Sequence, residues 1–103
     1  MIAVIFEVEP RDGRAQDYFE LAAGLRAELE KIDGFVSVER FESLTTPGKV
    51  VSLSFWRDEA AVRRWREHAE HAAAQVRGKT ELFADFRIRV AEVKRDYALK
   101  DRV

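Results

Sequence analysis

The apolar positions of this chain follow two repeats, one of two residues and one of three to four residues. The first run, Ile2 to Glu9, alternates as a strand does, with apolar side chains at the even positions. Both faces of this run begin apolar, so we expect both to be covered. Pro10 to Gly13 is then predicted to be a turn, because proline and glycine interrupt regular structure.

The next segments predict a helix and a second strand. Apolar side chains recur every three or four residues from Arg14 to Ile32, as they do on an amphipathic helix. Asp12 is a candidate N-terminal cap for this helix, and an Asp-Gly pair ends it. Phe35 to Leu44 alternates as a strand and places Phe35 and Phe41 on the same face. A Pro-Gly pair marks the hairpin loop that follows.

The segment from Val50 to Gly78 predicts a strand followed by a second helix, and it carries most of the candidate chemistry. β-Branched and aromatic side chains predict the strand Val50 to Trp56. Asp58 offers its carboxylate to the free N–H groups at the start of the helix. Apolar side chains recur every three or four residues along this helix, and Gly78 marks its end.

A fourth strand is predicted at Phe86 to Val93, after a connection at Lys79 to Asp85. The order β-α-β-β-α-β predicts an α+β, ferredoxin-like fold, with two helices on one face of a four-stranded antiparallel sheet. At this length we expect one domain spanning residues 1–103. Residues 93–103 are expected to form a mobile tail or an arm that wraps a partner.

Two helices leave the other face of such a sheet open, and several strands place apolar side chains there. The resulting patch, on the order of several hundred Å², is larger than monomeric proteins commonly expose. We therefore expect a second copy of the chain to cover it, sheet against sheet, as a two-fold homodimer.

The composition narrows the function classes. Basic and acidic side chains are balanced, 18 against 19, so no excess of charge favours nucleic acid or an anionic membrane. The sequence contains no cysteine, which excludes disulfides and thiolate metal sites. The start MIAVIFEVEP is too short for a spanning helix and lacks the features of a signal peptide, so a cytoplasmic location is expected.

One flank of the second predicted helix groups the side chains with the most chemical potential. At about 100° per residue, His68, His71 and Gln75 lie beside the apolar stripe, next to Trp65. A ligand against this flank would meet an indole, two imidazoles and an amide. The same pattern is typical of a core tryptophan with histidines at its solvated edge, and the sequence leaves both interpretations open.

Two other sets of side chains are candidate binding groups. His68 and His71 are three residues apart near Glu67, but no third ligand has a clear spacing, so we expect no metal site. On the fourth strand, Arg87 and its neighbour Arg89 either bind an anionic ligand group or pair with nearby carboxylates on the first strand.

Three stretches together resemble the antibiotic biosynthesis monooxygenase superfamily: IAVIFEVEPRDGRAQDYFELA, KIDGFVSVERFES and SFWRDEAAVRRWREHAEHAAAQ. The last is the most specific, since a tryptophan ends the strand, an acidic residue starts the helix and a second tryptophan follows nine residues after the first. The resemblance covers nearly the whole chain, and it implies a dimeric α+β barrel.

The resemblance implies one of two activities. Some members oxidise aromatic polyketide intermediates with molecular oxygen and without metal, flavin or other cofactor, whereas others bind haem and open its ring. The haem-degrading members are similar in having an asparagine on the first strand and a histidine ten residues after the tryptophan that matches Trp65. This chain has Phe6 or Glu7 at the first position, Gln75 at the second and no asparagine at all. Haem is therefore the lesser alternative, with a different histidine of the second helix as axial ligand.

The resemblance favours a cofactor-free monooxygenase that binds a small aromatic or quinone-type molecule between the helices and the sheet. His68 is the candidate base, with His71 second. Gln75 or Arg87 is the candidate partner for developing negative charge. The alternative from another class is a non-catalytic ligand-binding or stress-associated barrel protein, because no complete catalytic set is evident. The implied substrate-binding residues are Trp65, Gln75, Phe6, Tyr18, Phe19 and Arg87.

Overall fold

A computed structural model describes residues 1–75 and 83–101 of the chain, and the side chains of residues 1–68 and 83–101. Within these ranges the strands and helices follow one another in the predicted order, which confirms the ferredoxin-like α+β fold. They are β1 (Ile2–Pro10), α1 (Ala15–Glu30), β2 (Phe35–Glu42), β3 (Val50–Trp56), α2 (Glu59–Gln75) and β4 (Phe83–Glu92), followed by a 3₁₀ turn at Leu99–Asp101.

The strands form one antiparallel sheet in the order β2-β3-β1-β4. Val8 of β1 pairs with Val50 of β3, and Phe6 of β1 pairs with Ile88 of β4. Directly paired residues of antiparallel strands place their side chains on the same face. The even-numbered residues of β1, β3 and β4 therefore point to one face, on which both helices pack. We call it the helix face, and we call the opposite face of the sheet the open face.

The core on the helix face has two parts. One part packs the first half of α1 onto Val8 and Val50, through Tyr18 and Ala22. The other part packs Leu29 and the first turns of α2 around Trp56, whose indole is 1% exposed. Helix α1 therefore spans both parts of the core, while the described side chains of α2 contribute to the second.

The two helices begin differently. Asp58 caps α2 as predicted, because its Oδ1 accepts a hydrogen bond from the Ala61 N–H at 2.9 Å. The prediction that Asp12 caps α1 was wrong, since Arg14 occupies the cap position and no side chain accepts a bond there. Asp17 in the first turn of α1 is held by Arg14 at 2.6 Å, and its charge suits the positive end of the helix dipole.

A glycine sets the spacing between β2 and α2. Gly34 has a φ angle of +97°, a left-handed conformation that only glycine adopts without strain. Its carbonyl accepts a hydrogen bond from the Arg57 N–H at 2.7 Å. A Cβ added at position 34 would lie 2.6 Å from the Cβ of Ala61, so no larger residue fits without movement. The first turn of α2 rests directly against this loop.

The fourth strand begins earlier than the pattern predicted. It starts at Phe83 rather than Phe86, because β1 continues through Pro10, where Glu9 pairs with Asp85 and Pro10 pairs with Phe83. A register shift between Glu9 and Pro10 accommodates this extension. The part of the predicted connection that runs from 83 to 85 is therefore strand, and residues 79–82 lie outside the described residues.

The face assignment on β2 was also wrong. A register shift between Phe35 and Ser37 turns Phe35 onto the helix face, where its ring lies 5.3 Å from that of Trp56. Phe41 stays on the open face, paired with Val51. A bulge of this kind cannot be recognised from the alternation of apolar and polar residues in the sequence.

The end of the described chain lies against its beginning. The Val93 N–H donates to the Met1 carbonyl at 3.0 Å. Beyond Val93 the side chains are exposed through residue 101, and Leu99 is 98% exposed. A mobile tail and a partner-wrapping arm both stay predictions, as does the extent of the single domain. Within the described residues, no helix has the length and apolar character needed to cross a membrane.

Candidate functional site

Helix α2 stacks Trp65 and His68 on the core. The Trp65 ring lies 6.3 Å from the Trp56 ring at an interplanar angle of 27°, and the His68 ring lies 5.8 Å from Trp65. Residues three apart share a helix face, and the contact confirms that these two side chains are neighbours. Trp65 is half-buried and packs against the second part of the core. It therefore has one side in the core and one side toward solvent.

His68 has a partner on α1 that the sequence pattern did not indicate. Its Nε2 lies 3.1 Å from Oε2 of Glu28, whose other oxygen accepts a hydrogen bond from Lys31 at 3.4 Å. The bond from His68, followed by that from Lys31, lowers the pKa of Glu28 below its ordinary value of 4.5. We call Trp56, Trp65, His68 and Glu28 the tryptophan–histidine cluster.

Glu28 was missed because it lies on the polar side of α1, where a glutamate is usually solvated. No local spacing links it to His68, which is 40 residues away along the chain. The crossing of the two helices alone brings them together. The side chains are 40% and 36% exposed, so a molecule arriving from solvent reaches the imidazole.

A second aromatic group belongs to the other part of the core. The rings of Phe6, Phe83 and Phe86 meet edge to face with centroids 5.9 to 6.1 Å apart. Tyr18 contacts Phe83 at 5.8 Å, and Phe19 contacts Tyr18 at 5.5 Å. We call these five residues the phenylalanine cluster. The structure thus brings three predicted pocket residues together, apart from the tryptophan–histidine cluster.

An exposed apolar strip lies on β4, at the edge of the sheet, and begins at Phe86 of the phenylalanine cluster. Phe86, Ile88 and Val90 are 54%, 55% and 44% exposed, although all three point to the helix face. Val90 pairs with Val4, which packs against the part of the core that contains Trp65. Ile88 pairs with Phe6 of the phenylalanine cluster. We call Phe86, Ile88 and Val90 the β4 strip.

Arg87 does not join these side chains, because it points to the open face opposite Glu7. There it helps to line a groove of about 280 Å³. Glu7 sits in the same groove between Arg89 at 3.2 Å and Lys49 at 3.4 Å. The hydrogen bond from Arg89, more than that from Lys49, lowers the pKa of Glu7. Of the two interpretations of the β4 arginines, carboxylate pairing therefore describes Arg89.

Two predicted site residues lie beyond what the structure describes. The backbone of α2 extends to Gln75, but the side chains of His71 and Gln75 lie outside the described residues. Their roles stay predictions. Among the side chains that are described, no three metal-ligating groups are placed to hold a metal ion together.

The fold and the helix face define an α+β protein that carries an apolar, partly exposed surface and a stacked tryptophan and histidine on the same side of its sheet. The family profile described as antibiotic biosynthesis monooxygenase matches residues 1–77. The chain therefore belongs to the antibiotic biosynthesis monooxygenase family, and the resemblance drawn from three sequence stretches is confirmed.

A curated relative also carries a monooxygenase name. Jasmonate monooxygenase ABM of Pyricularia oryzae is 45% identical to this chain over 93 residues. The match covers 90% of this chain and 43% of that protein. The chain spans about half the length of the curated relatives it matches.

Two solved structures show the same fold in proteins of different chemistry. One is a mutant of SnoaB, a cofactor-independent oxygenase from Streptomyces nogalater, with a TM-score of 0.74, 16% identity and coverage of 92% of this chain and 94% of that one. The other is the haem degrader MhuD from Mycobacterium tuberculosis, with a TM-score of 0.75, 15% identity and coverage of 95% and 100%. At these identities the likeness shows the fold alone.

Proposed function

We propose that this chain is a cofactor-independent monooxygenase that acts on a small aromatic or quinone-type molecule held between the helices and the sheet. The β4 strip is the observation that carries the proposal, because it is an exposed apolar surface on the helix face that continues from the phenylalanine cluster to Val90. A flat ring on this strip would bury apolar surface at about 25 cal/mol per Å². Aromatic neighbours add edge and stacking contacts.

The proposed reaction draws its electrons from the substrate. His68 accepts the proton of a phenol or quinol hydroxyl, a transfer for which imidazole is suited near neutral pH. The electron-rich phenolate then reacts with molecular oxygen. One oxygen atom enters the substrate as a carbonyl and the other leaves as water, so four electrons come from the substrate and no reductant is needed. Gln75 is the predicted partner for the developing charge, whereas a role for Arg87 requires a ligand on the open face.

Three findings support the proposal. The chain belongs to a monooxygenase family, its curated relative is named for monooxygenation of jasmonate, and a cofactor-independent oxygenase shares its fold. In addition, the side chain of His68, the candidate base, is 40% exposed, so solvent reaches its imidazole.

Oxygen uptake by purified protein, verified to be free of metal and flavin, tests the proposal. The substrates are a panel of phenols and quinols together with jasmonate. We expect uptake with at least one of them and a fall in kcat of roughly 100-fold in His68→Gln, the lower end of what a general base contributes. Arg63→Gln, an exposed change on the same helix, is the matched control and should keep the wild-type rate. Absence of uptake across the whole panel would end the enzyme proposal.

The non-catalytic alternative rests on a different feature of the same cluster. Nε2 of His68 is already bonded to Glu28, so this histidine also serves as a tie between the two helices. A ligand-binding or stress-associated protein would bind aromatic molecules on the β4 strip without oxygen uptake. In that case His68→Gln would change the affinity for aromatic molecules, and neither the wild type nor the variant would show turnover.

Haem fits the candidate ligand residues poorly. Nε2 of His68 is held by Glu28 at 3.1 Å, and Gln75 stands ten residues after Trp65. We therefore propose that no cofactor is used. A haem titration checks this, since a sharp Soret shift at near-stoichiometric haem would bring haem chemistry to the front.

We also propose that the open face is covered by a second copy of the chain. Ile5, Leu53 and Phe55 lie half-buried there, next to a groove with charges of both signs. Light scattering after gel filtration should give twice the chain mass, and Leu53→Asp should halve it. Leu44→Asp, at a loop position that is 99% exposed, is the control and should stay dimeric. A monomeric wild type would refute the assembly. We expect no nucleic-acid or membrane partner.

A further inference from the structure

We propose that Glu28 is a positioning residue, which fixes the orientation and the proton of His68 and leaves Nδ1 as the unprotonated, basic nitrogen of that imidazole. The inference rests on the proposed function in one respect, namely that His68 is the base. It adds a second residue to the site and names the atom that receives the proton.

The His68 ring is fixed from two directions. Glu28 on α1 holds Nε2 at 3.1 Å. From α2, the Trp65 ring lies against it at 5.8 Å with 33° between the planes. Trp65 in turn stacks on Trp56, whose indole N–H donates to Ser54 Oγ at 2.9 Å in the buried core. A continuous series of contacts thus runs from the core to the imidazole, which a solvated histidine would lack.

The charge of Glu28 decides where the proton of the imidazole lies. His68 and Lys31 both bond to this carboxylate, and its lowered pKa keeps it ionised at neutral pH. An ionised carboxylate only accepts hydrogen bonds, so Nε2 must donate. Neutral imidazole carries one N–H, and Nδ1 is therefore bare. The contact selects one tautomer of two.

This arrangement suits proton removal from a substrate hydroxyl. The O–H bond breaks, an N–H bond forms at Nδ1, and the negative charge stays on the substrate oxygen. The imidazole becomes an imidazolium whose Nε2–H already faces a carboxylate, so the new positive charge forms beside an existing negative one. Fixing the base before the ligand arrives lowers the cost of orienting it.

Nitrogen-15 NMR of histidine-labelled protein tests the tautomer directly, without turnover. His68→Gln identifies the signals of His68, and the spectra are taken at a pH where the ring is neutral. Wild-type protein should show the Nε2–H tautomer. Glu28→Gln should give a mixture, because an amide both donates and accepts. Glu30→Gln is the matched control, since Glu30 is an exposed residue of the same helix whose nearest cation is Arg26 at 3.7 Å, and it should keep the wild-type tautomer.

Kinetics separates positioning from a merely structural role. With an accepted substrate, Glu28→Gln should lower kcat by about tenfold or more, by analogy with the loss that follows a wrong histidine tautomer, and should leave KM within about twofold. Circular dichroism checks that the variant is folded, and Glu28→Ala replaces it if it is not.

The outcomes are distinct. An Nδ1–H tautomer in the wild type, or an unchanged tautomer in a folded Glu28 variant, overturns the inference. Equal kcat in wild type and Glu28→Gln also overturns it while the proposed function stands. The predicted tautomer in a protein that consumes no oxygen supports the assignment of Glu28 and refutes the proposed function.

Discussion

The phenylalanine cluster and the tryptophan–histidine cluster sit on the same face of the same sheet, yet they are built differently. The three phenylalanines at the centre of the phenylalanine cluster, Phe6, Phe83 and Phe86, meet edge to face, and Phe86 is 54% exposed. In the other cluster, the Trp56 indole donates to Ser54 and the His68 imidazole is held by Glu28. One region offers apolar area to a ligand, while the other fixes the direction of its polar atoms. On one face of the sheet, the surface suited to affinity and the groups suited to chemistry are therefore separate.

The largest effect should come from removing the anchor of the tryptophan–histidine cluster. Trp56 is 1% exposed, so Trp56→Ala leaves a large cavity and should destabilise the protein by about 3–5 kcal/mol. Urea unfolding measures the loss. Phe86→Ala, at an exposed position of the other cluster, should cost less than about 1 kcal/mol. Comparable losses in the two variants would show that the clusters share the stability equally.

A smaller effect should follow from removing one hydroxyl. Ser54→Ala leaves the buried Trp56 N–H without its acceptor, which costs about 1–3 kcal/mol. Ser52→Ala is the matched control, because Ser52 is equally buried at 9% exposure on the same face and same strand. If both serines cost the same in thermal and urea unfolding, the bond to Trp56 contributes nothing special.

The β4 strip should affect ligand binding rather than folding. Ile88→Ala removes apolar contact area from a bound ring, and we expect roughly tenfold weaker binding of an accepted aromatic ligand at about 0.8 kcal/mol per methylene. Val36→Ala, also 55% exposed but outside the strip, should leave affinity unchanged. Isothermal titration measures both. Equal affinity in the two variants would move the ligand away from β4.

The smallest effect should be a loss of stability in acid, where protonation of Glu28 weakens its bond to His68. Because the pKa of Glu28 is lowered in the folded protein, its contribution to stability is complete at neutral pH and is lost as pH falls below about 4.5 through the folded value. Unfolding free energy measured from pH 6 to pH 3 should fall less steeply in Glu28→Gln than in wild type. The remaining slope should come from Glu7, Asp33 and Asp58, whose pKa values are lowered too. Parallel slopes would contradict a folded-state bond at Glu28.

The sequence pattern correctly predicted the structural features that depend on interactions between residues close together in the chain. The element order, the Asp58 cap and the contact between Trp65 and His68 each depend on residues a few positions apart. The bond between Glu28 and His68 could not be predicted from the sequence pattern, because it depends on how the two helices cross. The family resemblance supplied candidate roles, and those of His71 and Gln75 stay predictions.

Strand details failed for a related reason. The bulge at Phe35 and the early start of β4 at Phe83 depend on pairing with a neighbouring strand, which an alternating pattern does not reveal. Arg87 alternates correctly along its strand, but only the sheet register shows that it shares the open face with Glu7. One-residue errors of this kind move a side chain from one candidate site to another.

The contact between Gly34 and Ala61 has a consequence for how sequences of this protein can diverge. Any side chain at position 34 would collide with Ala61 at the start of α2. His68 lies two helical turns beyond Ala61 on the same helix. This collision would displace α2 and lengthen the 3.1 Å hydrogen bond between His68 and Glu28. A hydrogen bond weakens when its length grows by a few tenths of an ångström. In a mutational selection for new substrates, the positions of the β4 strip should therefore tolerate many different residues, whereas every selected variant should keep glycine at position 34.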